Sequence, residues 1–458
     1  MKTRHAQLAL LLLSLTTHAA VRAAEPGHWP QWRGPQLDGT APGATPPVTF
    51  SETTNLKWKA KLPGSGASTP IIWGDRIFIQ TAIPSGKKAD GKPVDIKPEP
   101  ASPPPPPEGG RRRGGGGGMR AEQPVEVYQF VMMCLDRASG KTLWQTTVKE
   151  ELPHEGHHRD HGFSSHSPVT DGEHVYAWFG SRGLHCLDMT GKTVWSKDLG
   201  KMQTRNAFGE GTSPALSGDT IVVNWDHEGQ DFILACHKKD GKEIWRQPRD
   251  EETTWTTPLI VTHDGKQQVI VCATNRIRSY ELDSGKEIWS CGGMTANVIP
   301  TPIAREGVLY AISGFRGAAL LAIKLGRTGD LTDTDAVLWK HDKRTPYVPS
   351  PLLVDGRLYF HSGNDGYLTI LSAKNGHALQ EAERIPGMSG IYASPVSAAG
   401  HLYFTGRDGA VIVAKAGEKL EVVATNKLDE AFEASPAIAG SELFLRGHSA
   451  LYSFSEKK

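Results

Sequence analysis

Read for alternation of apolar and polar positions, the chain resolves into short strands that recur in a fixed order. The pattern is cleanest from Ser167 onward. Pro168 to Asp171 gives a short first strand, Asp171-Gly172 turns the chain, and His174 to Phe179 alternates as the second. Leu184 to Asp188 is the third strand and Lys192 to Leu199 the fourth. The same order follows eight Ser-Pro or Thr-Pro dipeptides, whose prolines are Pro70, Pro168, Pro214, Pro258, Pro302, Pro351, Pro395 and Pro436. From Pro168 onward they are spaced by about 41 to 49 residues, the length of four short strands with their turns, which is the period of a propeller blade. Proline suits a strand entrance, where no ladder bond is lost. The sequence therefore predicts an all-β fold, an eight-bladed β-propeller of four-stranded blades.

The two ends of the chain carry complementary fragments. Asn55 to Leu62 reads as a fourth strand without partners of its own, and the last repeat stops after its third strand near Phe454. The expectation is that the N-terminal outer strand, about residues 55–62, joins the C-terminal blade and removes an open sheet edge. Tryptophans recur on the outer strands at Trp58, Trp144, Trp195, Trp245, Trp289 and Trp339, which suits blade packing better than six separate sites. Gly191 and its equivalents Gly140, Gly241, Gly285 and Gly376 are expected to serve the turn into strand four.

One propeller accounts for residues 55–458. Residues 1–23 read as a signal peptide: Lys2, Arg4 and His5 precede an apolar run too short to span a bilayer, then a cleavage site near Val21-Arg22-Ala23. Residues 24–54 form an N-terminal extension. Between the second and third strands of the first blade, residues 83–125 hold Pro103 to Pro107, Arg111 to Arg113 and Gly114 to Gly118, a composition that predicts a disordered insert. Export to the periplasm or beyond is expected, without a transmembrane segment. Lys plus Arg number 51 against 50 for Asp plus Glu, a balance that argues against nucleic acid as a partner. The five cysteines fall at positions that disfavour bridging, so buried free thiols are expected.

The segments Leu135-Asp136-Arg137-Ala138-Ser139-Gly140-Lys141-Thr142-Leu143-Trp144 and Leu282-Asp283-Ser284-Gly285-Lys286-Glu287-Ile288-Trp289 resemble the tryptophan-docking repeat of quinoprotein-type propellers. This PQQ-repeat family includes pyrroloquinoline quinone (PQQ) dehydrogenases and non-enzymatic, BamB-like outer-membrane assembly scaffolds. The stretch WPQWRGPQLDGT, Trp29 to Thr40, is similar to the mature N-terminus of secreted PQQ-repeat proteins. The resemblance implies either of two functions. One is an exported, non-catalytic scaffold that binds a protein or envelope component, with no cofactor and as a monomer. The other is a PQQ-dependent alcohol or sugar oxidoreductase with Ca²⁺ and the quinone at the tunnel mouth. The adjacent cysteines and the Cys-x-x-Cys-His haem site typical of the dehydrogenases are absent, and no lipid-anchor cysteine lies near the cleavage site.

Strand direction assigns the recognition face. Loops entering strand one and hairpins between strands two and three share one mouth of the tunnel, where functional side chains gather. Three residues before each proline lie Ala67, Ser165, Gly211, Trp255, Ile299, Val348, Tyr392 and Glu433, and one residue earlier Glu210, Tyr347 and Phe432. With His166 these make a mouth of aromatic and carboxylate groups. Arg182, Arg276, Arg316, Arg407 and Arg446 occupy turns between strands two and three of five blades. They are candidates for a cationic rim, with Asp226, Glu228, Asp365 and Asp408 offsetting it. His154, His157, His158 and His161 in the loop before blade 2 are weaker metal-ligand candidates, because Gly156 and Gly162 argue against the helical turn that would align them. Asp330, Asp333 and Asp335 read as a turn. No catalytic residue is assigned.

Overall fold

The computed structural model describes residues 27–92 and 120–456. The expected signal peptide, residues 1–23, and most of the expected insert lie outside the described residues. Eight antiparallel sheets follow one another along the chain, and they are numbered here from the proline that opens each, blade 1 at Pro70 to blade 8 at Pro436. Blade 2 runs Val169–Thr170, His174–Trp178, Leu184–Asp188 and Thr193–Lys197 from the axis outward. Each sheet is covered on both faces by its neighbours, so the middle strands are buried almost throughout, as at Val175 to Trp178. The cores lie between sheets. Tyr176, Trp178 and Cys186 of blade 2 pack with Ile221, Val223 and Leu234 of blade 3.

The ring closes as the ends of the sequence suggest. Leu56–Lys61 pairs antiparallel with Ala450–Phe454 as the outer strand of blade 8. The outer tryptophans lock blade to blade. The Trp144 indole donates to Met189 O at 3.0 Å, and its ring covers Gly191, where φ is +89° and a Cβ would lie 2.6 Å from the ring, which excludes a side chain. Trp58, Trp195, Trp245 and Trp339 repeat this against Gly140, Gly241, Gly285 and Gly376. Trp289 departs from it and donates to Gln268 within its own blade.

Six of the eight hydroxyls before the prolines have a second role. Backbone N–H groups of Thr69, Ser167 and Ser213 donate to the hydroxyls of Ser167, Ser213 and Thr257 in the next blade, at 2.9, 2.9 and 3.0 Å. Thr301, Ser350 and Ser394 do the same to Ser350, Ser394 and Ser435 at 2.9, 2.9 and 3.0 Å. This belt around the axis satisfies donors that the strand entrances would otherwise bury unpaired. The blade 4 to 5 junction is different: the Thr301 hydroxyl is buried without a partner, and Trp255 N donates to Val298 O instead.

Residues 28–54, within the expected N-terminal extension, cross the face opposite the mouth. Trp29 pairs with Ile72 of blade 1, Pro30 O accepts from Thr170 of blade 2, and Ala41 N donates to Ser397 O of blade 7. Arg33, 2 % exposed, donates to Pro351 O at 2.7 Å, Pro395 O at 3.0 Å and Asp38 O at 2.8 Å. Burial lowers its pKa to about 10, with Asp38 opposing. Two sequence expectations are corrected. The second strand of blade 1 runs Arg76–Lys88 and pairs with Glu126–Asp136, so the strand itself takes residues 83–88 from the expected insert. The Asp330 segment is not only a turn: Gly329–Asp330 pairs parallel to Trp289 and Ser290, adding an edge strand to blade 4. All five cysteines are buried and free. Among the described residues no helix is long and apolar enough to cross a membrane.

Candidate functional site

A cavity of about 230 Å³ occupies the tunnel, lined from the mouth through the hydroxyl belt to Trp32. Its wall contains all eight residues that lie three before the prolines, and each of them is half-buried, whereas the eight belt residues beneath are buried. The blade register alone produces this layering, because every inner strand enters the ring at the same height. Trp255, Tyr347 and Tyr392 supply aromatic wall, joined by Phe208 and by Trp32 from the N-terminal segment. Trp255 is fixed by its indole donating to Gly209 O at 2.8 Å. Tyr347 stacks on Phe315, with ring centroids 4.8 Å apart.

The loop between blades 1 and 2 lies across the mouth and brings the polar groups. Arg407 Nη2 donates both to Asp160 Oδ1 at 2.9 Å and to Glu433 Oε1 at 2.8 Å. Tyr392 donates to Asp160 Oδ2 at 3.1 Å, and the Arg407 guanidinium lies 4.2 Å from the Tyr392 ring centroid. Burial works against the Asp160 carboxylate, but Arg407 and Tyr392 hold its pKa below the usual value. Burial and the neighbouring Asp160 push the Tyr392 phenol up to about 12. His448 sits 3.3 Å from Glu433, which raises the imidazole pKa. His161 Nδ1 lies 2.9 Å from Gly162 O, so that nitrogen carries the proton and Nε2 keeps its lone pair. Burial, then His157, lowers the His161 pKa to about 4.

The remaining sequence candidates are placed elsewhere. Phe432 is fully buried against Tyr452, and His166 is buried against Trp178. Glu210 is consumed by Arg182, 3.0 Å away, and by Ser181 N at 2.6 Å. The arginines do not form a rim. Arg182 serves Glu210, and Arg276 lies 2.5 Å from Asp330. Arg316 is exposed beside Phe315. Arg446 is buried and donates to Ser68 O and Gln80 O, tying blade 8 to blade 1. Only Arg407 reaches the mouth groups. Asp226, expected to temper the rim, is buried against Arg249 at 2.6 Å. The four histidines do not converge on an ion either. His154 Nε2 bonds Met202 O at 2.6 Å and His157 Nδ1 bonds His158 O at 2.9 Å. Among the described residues, the one trio of ligand atoms within 4.8 Å is Asp171, Glu173 and His174, at a distant hairpin. Asp160, Phe208 and Trp32 were not expected at the site. Nothing local marks them, because loop and extension reach the axis only through tertiary contacts.

The donors present do not fit PQQ. That cofactor is a flat tricarboxylate held with a divalent cation, and it requires cationic partners. No Lys or Arg is among the described residues lining the cavity, and the nearby Arg407 is already shared by two carboxylates. The volume also falls below the roughly 300–1,000 Å³ of pockets for drug-sized ligands.

No curated protein sequence matches the chain. Solved structures with the same fold include BamB from Moraxella catarrhalis, 15% identical with a TM-score of 0.52, over 71% of this chain and 93% of that one. Quinohemoprotein alcohol dehydrogenase from Comamonas testosteroni is 10% identical with a TM-score of 0.61, over 96% and 82%. The quinohemoprotein alcohol dehydrogenase ADHIIG from Pseudomonas putida HK5 is 11% identical with a TM-score of 0.56, over 94% and 80%. At such identities the likeness is one of fold. The sequence itself matches a family of PQQ-type repeats over residues 130–382, more than half of its length, and the chain therefore belongs to the family described as outer membrane protein assembly factor BamB.

Proposed function

We propose that this chain is a non-catalytic binding propeller of the cell envelope that takes a protein or envelope partner at its mouth. The observation that carries the reading is the convergence of half-buried Trp255, Tyr347, Tyr392 and Glu433 on one cavity. Aromatic anchors beside a few fixed polar groups are the composition of a recognition hot spot. The family's description as an assembly factor supports placement in the envelope, and the signal peptide expected at residues 1–23 is consistent with it. Activity as a quinone-dependent oxidoreductase is the competing reading, suggested by the shared fold of the dehydrogenases.

Photocrosslinking tests the proposal. A photoreactive residue at Ile299, on the cavity wall, should give a discrete adduct in native envelope. The same residue at Leu338, exposed on an outer strand, should not. Equal adducts from both positions, or adducts from Leu338 alone, would move the partner away from the mouth.

A further inference from the structure

The geometry points to a primary ammonium group as the guest of the mouth cavity, supplied by a lysine side chain of the partner. This rests on the binding role proposed above and specifies its chemistry. Charge is the first argument. Asp160 and Glu433 share one nitrogen of the Arg407 guanidinium, and their other cationic neighbours, Arg159 3.9 Å from Asp160 and His448 3.3 Å from Glu433, are not part of the cavity wall. Both carboxylates line the cavity, and no Lys or Arg is among the described residues that do.

The acceptors are the second argument. An ammonium has three N–H donors and no acceptor. The cavity wall offers it carboxylate oxygens of Asp160 and Glu433 with lone pairs to spare, and the unpartnered Nε2 of His161. The depressed pKa keeps that imidazole an acceptor at neutral pH. The walls are the third. Trp255, Tyr347 and Tyr392 line the cavity with aromatic surface, which attracts a cation and suits a methylene stem. A volume of about 230 Å³ suits one long side chain. A carboxylate or phosphate guest would meet the Asp160 and Glu433 carboxylates on the wall.

The test is calorimetric titration of the protein at about pH 8, where His448 competes least for Glu433, with n-butylammonium, n-butanol and butyrate as probes. The ammonium is expected to bind at least ten-fold more tightly than either isostere. Glu433→Gln, which keeps an oxygen for Arg407, is expected to weaken it by about ten-fold without moving the thermal midpoint. Should Glu433→Gln fail to fold, Asp160→Asn takes its place with the same expectation. Butyrate or butanol binding as well as the ammonium, or an unchanged affinity in the folded variant, would overturn the inference. If the Ile299 adduct still formed, that result would leave the mouth as the binding face; loss of both would remove the binding role as well.

Discussion

Ser394 Oγ accepts the backbone N–H of Ser350 inside the belt, so removing it strands a buried donor. Ser394→Ala is expected to cost about 1–3 kcal/mol, the penalty of an unpaired buried group. Thr301→Val removes a hydroxyl that has no partner, and it should change stability by less than about 0.5 kcal/mol. Urea denaturation of the two variants checks the contrast; equal losses would mean that the belt bonds carry no weight. Protonation gives a second test at this scale. His166 and His361 are held down to about 3 by burial. Their folded pKa lies below the unfolded value, so the unfolded chain takes up protons first as pH falls below about 6.5. Stability present at neutral pH is therefore lost progressively towards pH 4. Replacing His166 with Phe should flatten part of that fall in the thermal midpoint, and an unchanged pH profile would contradict it. The Ser/Thr-Pro signal was plain in the sequence, but the belt was not, since nothing in a dipeptide tells that its hydroxyl meets the next repeat.

The segment from Trp29 to Ala41 shows what an element can do outside any repeat. It fixes the far face of the ring through Arg33, whose guanidinium spans the strand entrances of blades 6 and 7. Arg33→Ala leaves those carbonyls buried and unpaired and is expected to destabilise by about 2–3 kcal/mol, read as a lower urea midpoint. Removing everything before residue 63 deletes the outer strand of blade 8 and bares the edge of Ala450–Phe454. Self-association of that truncated chain in size-exclusion chromatography is the expected result; a well-behaved monomer would show the closing strand to be dispensable. The strands, turns and ring closure were legible because their periods are two residues and one blade. The path of residues 28–54 was not, because a chain that follows a surface made by other blades has no period of its own.

At the scale of the whole molecule, the propeller turns eight equivalent positions into one wall, which is why the ring of Trp255, Tyr392 and Glu433 could be read from spacing alone. Of the five arginines only Arg407 followed that rule. Arg182 is taken by Glu210, Arg276 by Asp330 and Arg446 by the carbonyls of Ser68 and Gln80. Asp160 reaches the site by the opposite route, from a connecting loop that crosses the mouth to Arg407. The outcome is a cavity lined by two carboxylates and an aromatic wall, and the proposed function makes it the seat of a partner's side chain. Equilibrium dialysis against PQQ with Ca²⁺, followed by dye reduction on alcohols and sugars, tests this most directly. The account predicts no retained quinone and no turnover; one equivalent retained per chain, lost in Trp255→Ala and coupled to substrate oxidation, would contradict it.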